Sequence, residues 1–248
     1  MAGEIHIGTS GWHYKHWLGP FYPQGLPASK MLDFYLQSFD TVEINNSFYR
    51  LPSAETFEAW RKATPKNFVF AVKGSRFITH NKKLGDPEEP IERLFNSVDA
   101  LKGKLGPILF QLPPMWKVNV PRLESFLRAL PRRRQYAFEF RNETWNIAET
   151  YATLRRFNAA YCMFHLAGFQ SPMEITANFT YIRLHGPGGK YQGSYDDAAL
   201  GQWAARIQDW RASLKDIYVY FDNDQAGYAV TDALRLKQLV GIQSPSEG

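Results

Sequence analysis

The chain has 248 residues, 44% hydrophobic and 21% charged, with a formal net charge of +5 at neutral pH. That length buries a core as one domain, that apolar content excludes a disordered chain, and no apolar run reaches the ~20 residues of a membrane helix. A single cysteine, Cys162, excludes an internal disulfide, and the start at Met1 shows no basic-then-apolar leader, so the expectation is a cytoplasmic protein with no membrane partner.

Eight strand-like runs follow one another, at 5–10, 41–45, 68–73, 107–112, 136–141, 160–165, 181–185 and 217–222. Helical spacing fills most of the gaps. The first helix is expected over 27–39, with Met31, Leu32, Tyr35 and Phe39 on one face. Pro52-Ser53 opens a helix through Trp60, and Pro87 precedes another over 88–101. Asn119 caps a helix that carries Pro121 in its first turn. Others are expected over 147–157, 196–214 and 226–239. Between His165 and Thr180, Gly168 and Pro172 interrupt any helix, so the sixth is short or missing. Strand alternating with helix predicts a parallel sheet, and eight such units in ~250 residues predict a single-domain, TIM-like (β/α)8 barrel of the α/β class. The domain is expected to span 1–248, with its core at about 4–241.

In such a barrel the chemistry sits at the carboxyl ends of the strands. Nearly every run here ends on a polar or charged residue: Glu43 and Asn45, Lys73, Gln111, Glu139 and Arg141, His165, Arg183 and His185, Asp222. Alternation places Glu43 with Asn45, Glu139 with Arg141 and Arg183 with His185 on one face, and leaves Val42, Ile44, Phe138, Phe140, Ile182 and Leu184 for the helices. Glu43, Lys73, Glu139, His185 and Asp222 are the expected catalytic groups. Asn45, Gln111, Arg141, Arg183, Trp12 and Tyr49 are the expected ligand contacts.

Several chemistries fit these residue types. Lys73, Arg141 and Arg183 suit an anionic group such as phosphate, with Glu139, Asp222 or His185 moving protons. Rings and bases interleave around them (Trp12, Trp17, Phe48, Tyr49 and Trp116 among Lys15, Arg50 and Lys117), as in sites for single-stranded nucleic acid. The first expectation is therefore an enzyme acting on a phosphorylated or nucleic-acid ligand. A non-catalytic protein that binds nucleic acid or a small anion is the first alternative. A hydrolase is the other, either metal-dependent or using Glu43 and Glu139 as a glycosidase acid pair. A metal set of Glu43, Glu139, His185 and Asp222 is disfavoured by the neighbouring Lys73 and Arg183, so no metal ligand is assigned. Three acids against three bases also describe a polar plug that neutralises itself.

The motifs Ile7-Gly-Thr-Ser-Gly-Trp12, Thr41-Val-Glu-Ile-Asn-Asn-Ser-Phe-Tyr-Arg50, Phe70-Ala-Val-Lys73, Gly106-Pro-Ile-Leu-Phe-Gln-Leu-Pro113, Phe138-Glu-Phe-Arg141, Tyr181-Ile-Arg-Leu-His-Gly186 and Tyr218-Val-Tyr-Phe-Asp-Asn-Asp224 run in order along nearly the whole chain. Together they resemble the domain of unknown function 72 family, also called YecE-like. The resemblance implies a TIM-barrel-like fold and no established reaction. Where the family pattern often reads Asn-Ser-Thr-Phe-Tyr, this chain has Asn45-Asn-Ser-Phe-Tyr49.

Overall fold

A computed structural model describes residues 2–242. Along them the order is β1 (Glu4–Thr9), α1 (Met31–Tyr35), β2 (Thr41–Ile44), α2 (Ala54–Ala63), β3 (Val69–Lys73), α3 (Glu88–Val98), β4 (Leu105–Gln111), α4 (Val120–Ala129), β5 (Tyr136–Glu139), α5 (Ala148–Arg156), β6 (Ala160–Leu166), β7 (Phe169–Gln170), β8 (Phe179–Leu184), α6 (Asp197–Arg211), β9 (Asp216–Phe221) and α7 (Tyr228–Leu239). This is the α/β, TIM-like arrangement that the alternation predicts. The sixth helix, expected to be short or missing, is missing. In its place β7 folds back antiparallel on β6, with Leu166 opposite Phe169. Ala167 and Gly168 turn that corner in the left-handed region. No helix among the described residues is long and apolar enough to cross a membrane.

Helix ends follow local chemistry. The side chains of Ser53, Asn119 and Asp196 accept backbone N–H bonds at the starts of α2, α4 and α6. The last helix starts at Tyr228 instead of 226, because Ala226 and Gly227 both take positive φ. The first helix is shorter than its apolar spacing suggests, five residues preceded by a 3-10 turn.

Contacts divide the chain into two compact units, each drawn from separate stretches. The first takes the chain up to Glu43, Met163–Ser171, and the chain from Tyr181 onward; the second takes Ile44–Cys162 and Pro172–Thr180. In the first unit β1 pairs in parallel with β9, Glu4 opposite Asp216 through Thr9 opposite Phe221, and β8 lies beside β9. A bridge from Ser10 to Glu43 extends the pairing to β2. Helix α7 packs on β1 and β9, and α6 on β9 and α7. Leu200, Trp203 and Ile207 of α6 are buried there, as their spacing predicts. In the second unit β3, β4, β5 and β6 pair in that order, in parallel, with Gln111 opposite Glu139. Its core is aromatic: Phe110 lies 4.9 Å from Phe126, and Phe140 stacks at 4.8 Å on Trp145.

Gly8 sits in the middle of β1, where glycine weakens a strand unless another group comes close. A Cβ there would collide with the Thr41 carbonyl oxygen and lie 3.1 Å from the Tyr35 hydroxyl. Gly8→Ala should therefore destabilise the protein by ~1–3 kcal/mol, measured by urea unfolding.

Candidate active site

Tyr181 and Arg183 of β8 lie on one face by alternation, and their polar atoms meet those of Ser10, Glu43 and Asp222 at the strand ends. Arg183, on β8, is completely buried. A buried guanidinium needs its charge matched and its donors satisfied. Glu43 of β2 does most of this: Arg183 Nη2 donates to Oε1 at 2.7 Å and Nε to Oε2 at 2.9 Å, a bidentate pair. Ser10 Oγ also donates to Glu43 Oε1, and the Tyr181 hydroxyl donates to Oε2 at 2.7 Å. A carboxylate offers roughly four acceptor sites, so protein donors fill Glu43. The residue expected to be a catalytic carboxylate is occupied as the counter-ion of Arg183.

Arg183 Nη2 also donates to Asp222 Oδ2 at 3.1 Å, and Nη1 lies 3.3 Å from His185 Nε2. Arginine only donates, so Nε2 of His185 accepts. Its proton is then on Nδ1, which lies 3.0 Å from Asp222 Oδ2 and donates to it. Both imidazole nitrogens are thus committed. Asp222 side-chain exposure is 11%, against 0% for Glu43, Arg183 and His185. It is the member of this network that reaches solvent.

A second carboxyl lies two residues on. Asp224 accepts from Trp17 Nε1 at 2.5 Å and faces His16 Nε2 at 2.9 Å. Burial pushes its pKa up to about 6, with Asp222 adding and with Trp17 and His16 opposing. The Tyr14 hydroxyl donates to the Ser10 carbonyl at 2.6 Å. Its pKa is raised by burial, then by Asp222, Asp224 and Glu43. Asn223, between the two acids, is pinned by Asp232 Oδ2 at 2.8 Å and by the Gly193 carbonyl at 2.9 Å. Asp232 also receives Ser194 Oγ at 2.7 Å and the Tyr195 N–H at 2.9 Å, which secures the glycine-rich loop after β8. From that loop, half-exposed Tyr191 sets its ring 5.4 Å from His185, edge to face. His165 Nδ1 lies 3.1 Å from the Tyr195 hydroxyl, and burial and then His185 lower its pKa.

The other expected residues lie in the second unit. Lys73 is buried, with Nζ 4.4 Å above the Phe48 ring. Glu139 is fully buried, accepts from Arg141 Nε, and has the Cys162 thiol 3.8 Å from Oε2. Gln111 and Asn45 are half-buried at the ends of β4 and β2, and the side-chain Oδ1 of Asn45 has no hydrogen-bond partner. Tyr49 is 79% exposed. In the first unit Trp12 is half-buried and its carbonyl accepts the Tyr22 hydroxyl. Trp17 and Phe48, rings of the mouth loops, pack into the core. Sequence reasoning missed Ser10, Tyr181 and Asp224. Alternation from Arg183 back to Tyr181 and the Asp-Asn-Asp spacing after β9 were the signals.

The model of the protein family of unknown function DUF72 matches residues 6–247. The chain belongs to the DUF72 family. It is 27% identical to UPF0759 protein YunF of Bacillus subtilis (strain 168), over 96% of this chain and 95% of that one. A solved DUF72 family structure from Thermotoga maritima MSB8 superposes with a TM-score of 0.87 at 28% identity, over 96% of this chain and 99% of the other. Another, from Enterococcus faecalis V583, has a TM-score of 0.80 at 20% identity, over 97% and 99%, and shares the fold.

Two outcomes follow from this geometry. Glu43→Gln leaves Arg183 short of its counter-charge and should cost ~3–5 kcal/mol, read from denaturant melts. Asp224 has a folded pKa of about 6 against an ordinary 3.8, so its contribution to stability is complete below the lower value and lost as pH rises through the upper. Asp224→Asn should flatten stability across that window. A wild-type curve equally flat there would contradict the raised pKa.

Proposed function

We propose that this DUF72 protein is an enzyme working by proton transfer at the Asp222–Asp224 pair, on a neutral, hydroxyl-rich ligand such as a glycoside. The observation that supports this is the sign of the charge. Two carboxylates, Glu43 and Asp222, share the guanidinium of Arg183, and Asp224 beside them faces His16. Phosphoryl transfer needs cations placed around the developing charge. A net acidic site instead favours positive charge developing on the substrate, as at a glycosidic centre. Arg183, the residue that made phosphate attractive in the sequence, has its donors turned to Glu43, Asp222, Ser10 and His185.

Paired carboxyls in unlike environments are how one site holds both an acid and a base near neutral pH. Asp222 is salt-bridged to Arg183 and accepts a hydrogen bond from His185 Nδ1, so it serves as the carboxylate. Asp224, at about 6, serves as the group that gives and takes the proton. Half-exposed Tyr191, edge-on to His185, supplies an apolar face on which a sugar ring can stack. The glycosidase pair considered from sequence, Glu43 with Glu139, is replaced in this reading by two carboxyls of one strand end.

The test is a turnover screen with nitrophenyl glycosides, nitrophenyl phosphates and short oligonucleotides, with wild type and Asp224→Asn side by side. The expected outcome is glycoside turnover with a pH limb near 6 that Asp224→Asn abolishes. Turnover of phosphates or oligonucleotides alone would return the assignment to an anionic ligand. Ligand-induced stabilisation without turnover of any substrate would make the protein a binding module.

A further inference from the structure

The N-terminal ends of β1 and β9 hold a second set of chemical groups on the face that carries Ser10 and Asp222 at the other end. Glu4 and Asp216 are direct neighbours in the parallel register, and His6 is two residues further along β1 on the same face. Six residues of strand separate Glu4 from Ser10, about 20 Å at the usual ~3.3 Å per residue. The two ends are therefore separate sites.

His6 is the informative member. It is 7% exposed, and its Nδ1 has no hydrogen-bond partner. Its ring is held flat against Tyr218, with centroids 4.8 Å apart and planes 11° from parallel. Buried imidazole nitrogens are ordinarily satisfied, so an unfilled one on a ring grouped with two carboxylates calls for a ligand. Ligand atoms of Glu4, His6 and Asp216 all lie within 4.8 Å of one another, and His6 Nε2 is 3.7 Å from Glu4 Oε2.

We propose that Glu4, His6 and Asp216 form a divalent transition-metal site, suited best to zinc, that staples the first strand to the last. One imidazole and two carboxylates match zinc, which takes nitrogen and oxygen donors at ~2.0–2.2 Å and accepts water as a fourth ligand. Calcium and magnesium prefer oxygen donors throughout. His6 and Asp216 are buried and already placed. The Glu4 side chain, 79% exposed, is free to swing inward and close the site. Its position at the N-terminal ends of the strands, the face of such folds that serves stability, makes the metal structural.

The experiment uses the full chain stripped with a chelator, titrated with zinc and, separately, with magnesium by calorimetry. Melting temperature is followed in parallel. The expected result is one zinc per chain, a melting temperature that rises with free zinc, and little response to magnesium. Glu4→Gln, a change at an exposed side chain, should weaken zinc by at least ~10-fold and leave the metal-free melting temperature unchanged. His6→Gln should remove binding. Cobalt in place of zinc should give an absorption spectrum that Glu4→Gln alters. Absence of zinc binding, or equal affinity in wild type and Glu4→Gln, would overturn the proposal. Should His6→Gln not fold, Glu4→Gln and the cobalt spectrum decide. None of these readouts depends on the chemistry proposed for Asp222 and Asp224.

Discussion

A guanidinium with no exposure to water organises the site. Arg183 is tolerable inside the protein only because Glu43 meets it with both oxygens and Asp222 takes a further donor. Much else follows from that requirement. Ser10 and Tyr181 must donate to Glu43 to complete its hydrogen bonding, which ties the ends of β1, β2 and β8 to one carboxylate. His185 must accept from Arg183, so its proton goes to Asp222. The identities of six side chains are thereby coupled, and a change at any one leaves a buried donor or charge unanswered.

The same coupling separates groups whose capacity is spent from groups that reach solvent or lie outside the frame. Glu43, Arg183 and His185 have their capacity spent on one another. Asp222 is held by that frame yet touches solvent, and Asp224 is held from outside it by Trp17 and His16. An active site needs such a division: rigid neighbours fix the geometry, and a carboxyl with raised pKa keeps its proton within reach of neutral pH. The second unit repeats the bracing theme on a smaller scale, where Arg141 neutralises Glu139 and the Cys162 thiol points at the same carboxylate. Cys162 is buried and is a core residue.

Much of this was legible before any coordinates. Strand period and helix spacing locate the eight parallel strands, and Gly168 with Pro172 mark the missing helix. Alternation puts Glu43, Arg183, His185 and Asp222 at strand ends, where the structure joins them in one network. Roles were less legible than places. A residue list does not say that Glu43 is saturated, because saturation depends on Ser10 and Tyr181, which arrive from two other strands. Tyr181 reads as an ordinary strand aromatic until its hydroxyl is seen on the carboxylate. Asp224 lies beyond the last strand residue, where alternation no longer applies, and its raised pKa comes from burial under Trp17 and the long loop after β1. The β7 hairpin was invisible because two residues are too few to carry a period.

The central claim is that one carboxyl of the pair beyond β9 holds its proton close to neutral pH. Carbon-13 NMR of the aspartate side-chain carboxyls, titrated from acid to neutral and assigned with Asp224→Asn, reads this directly. A resonance lost in that variant with a midpoint near 6 is the predicted result. A midpoint near the ordinary 3.8 would contradict the assignment of Asp224 as the proton donor and acceptor of this site.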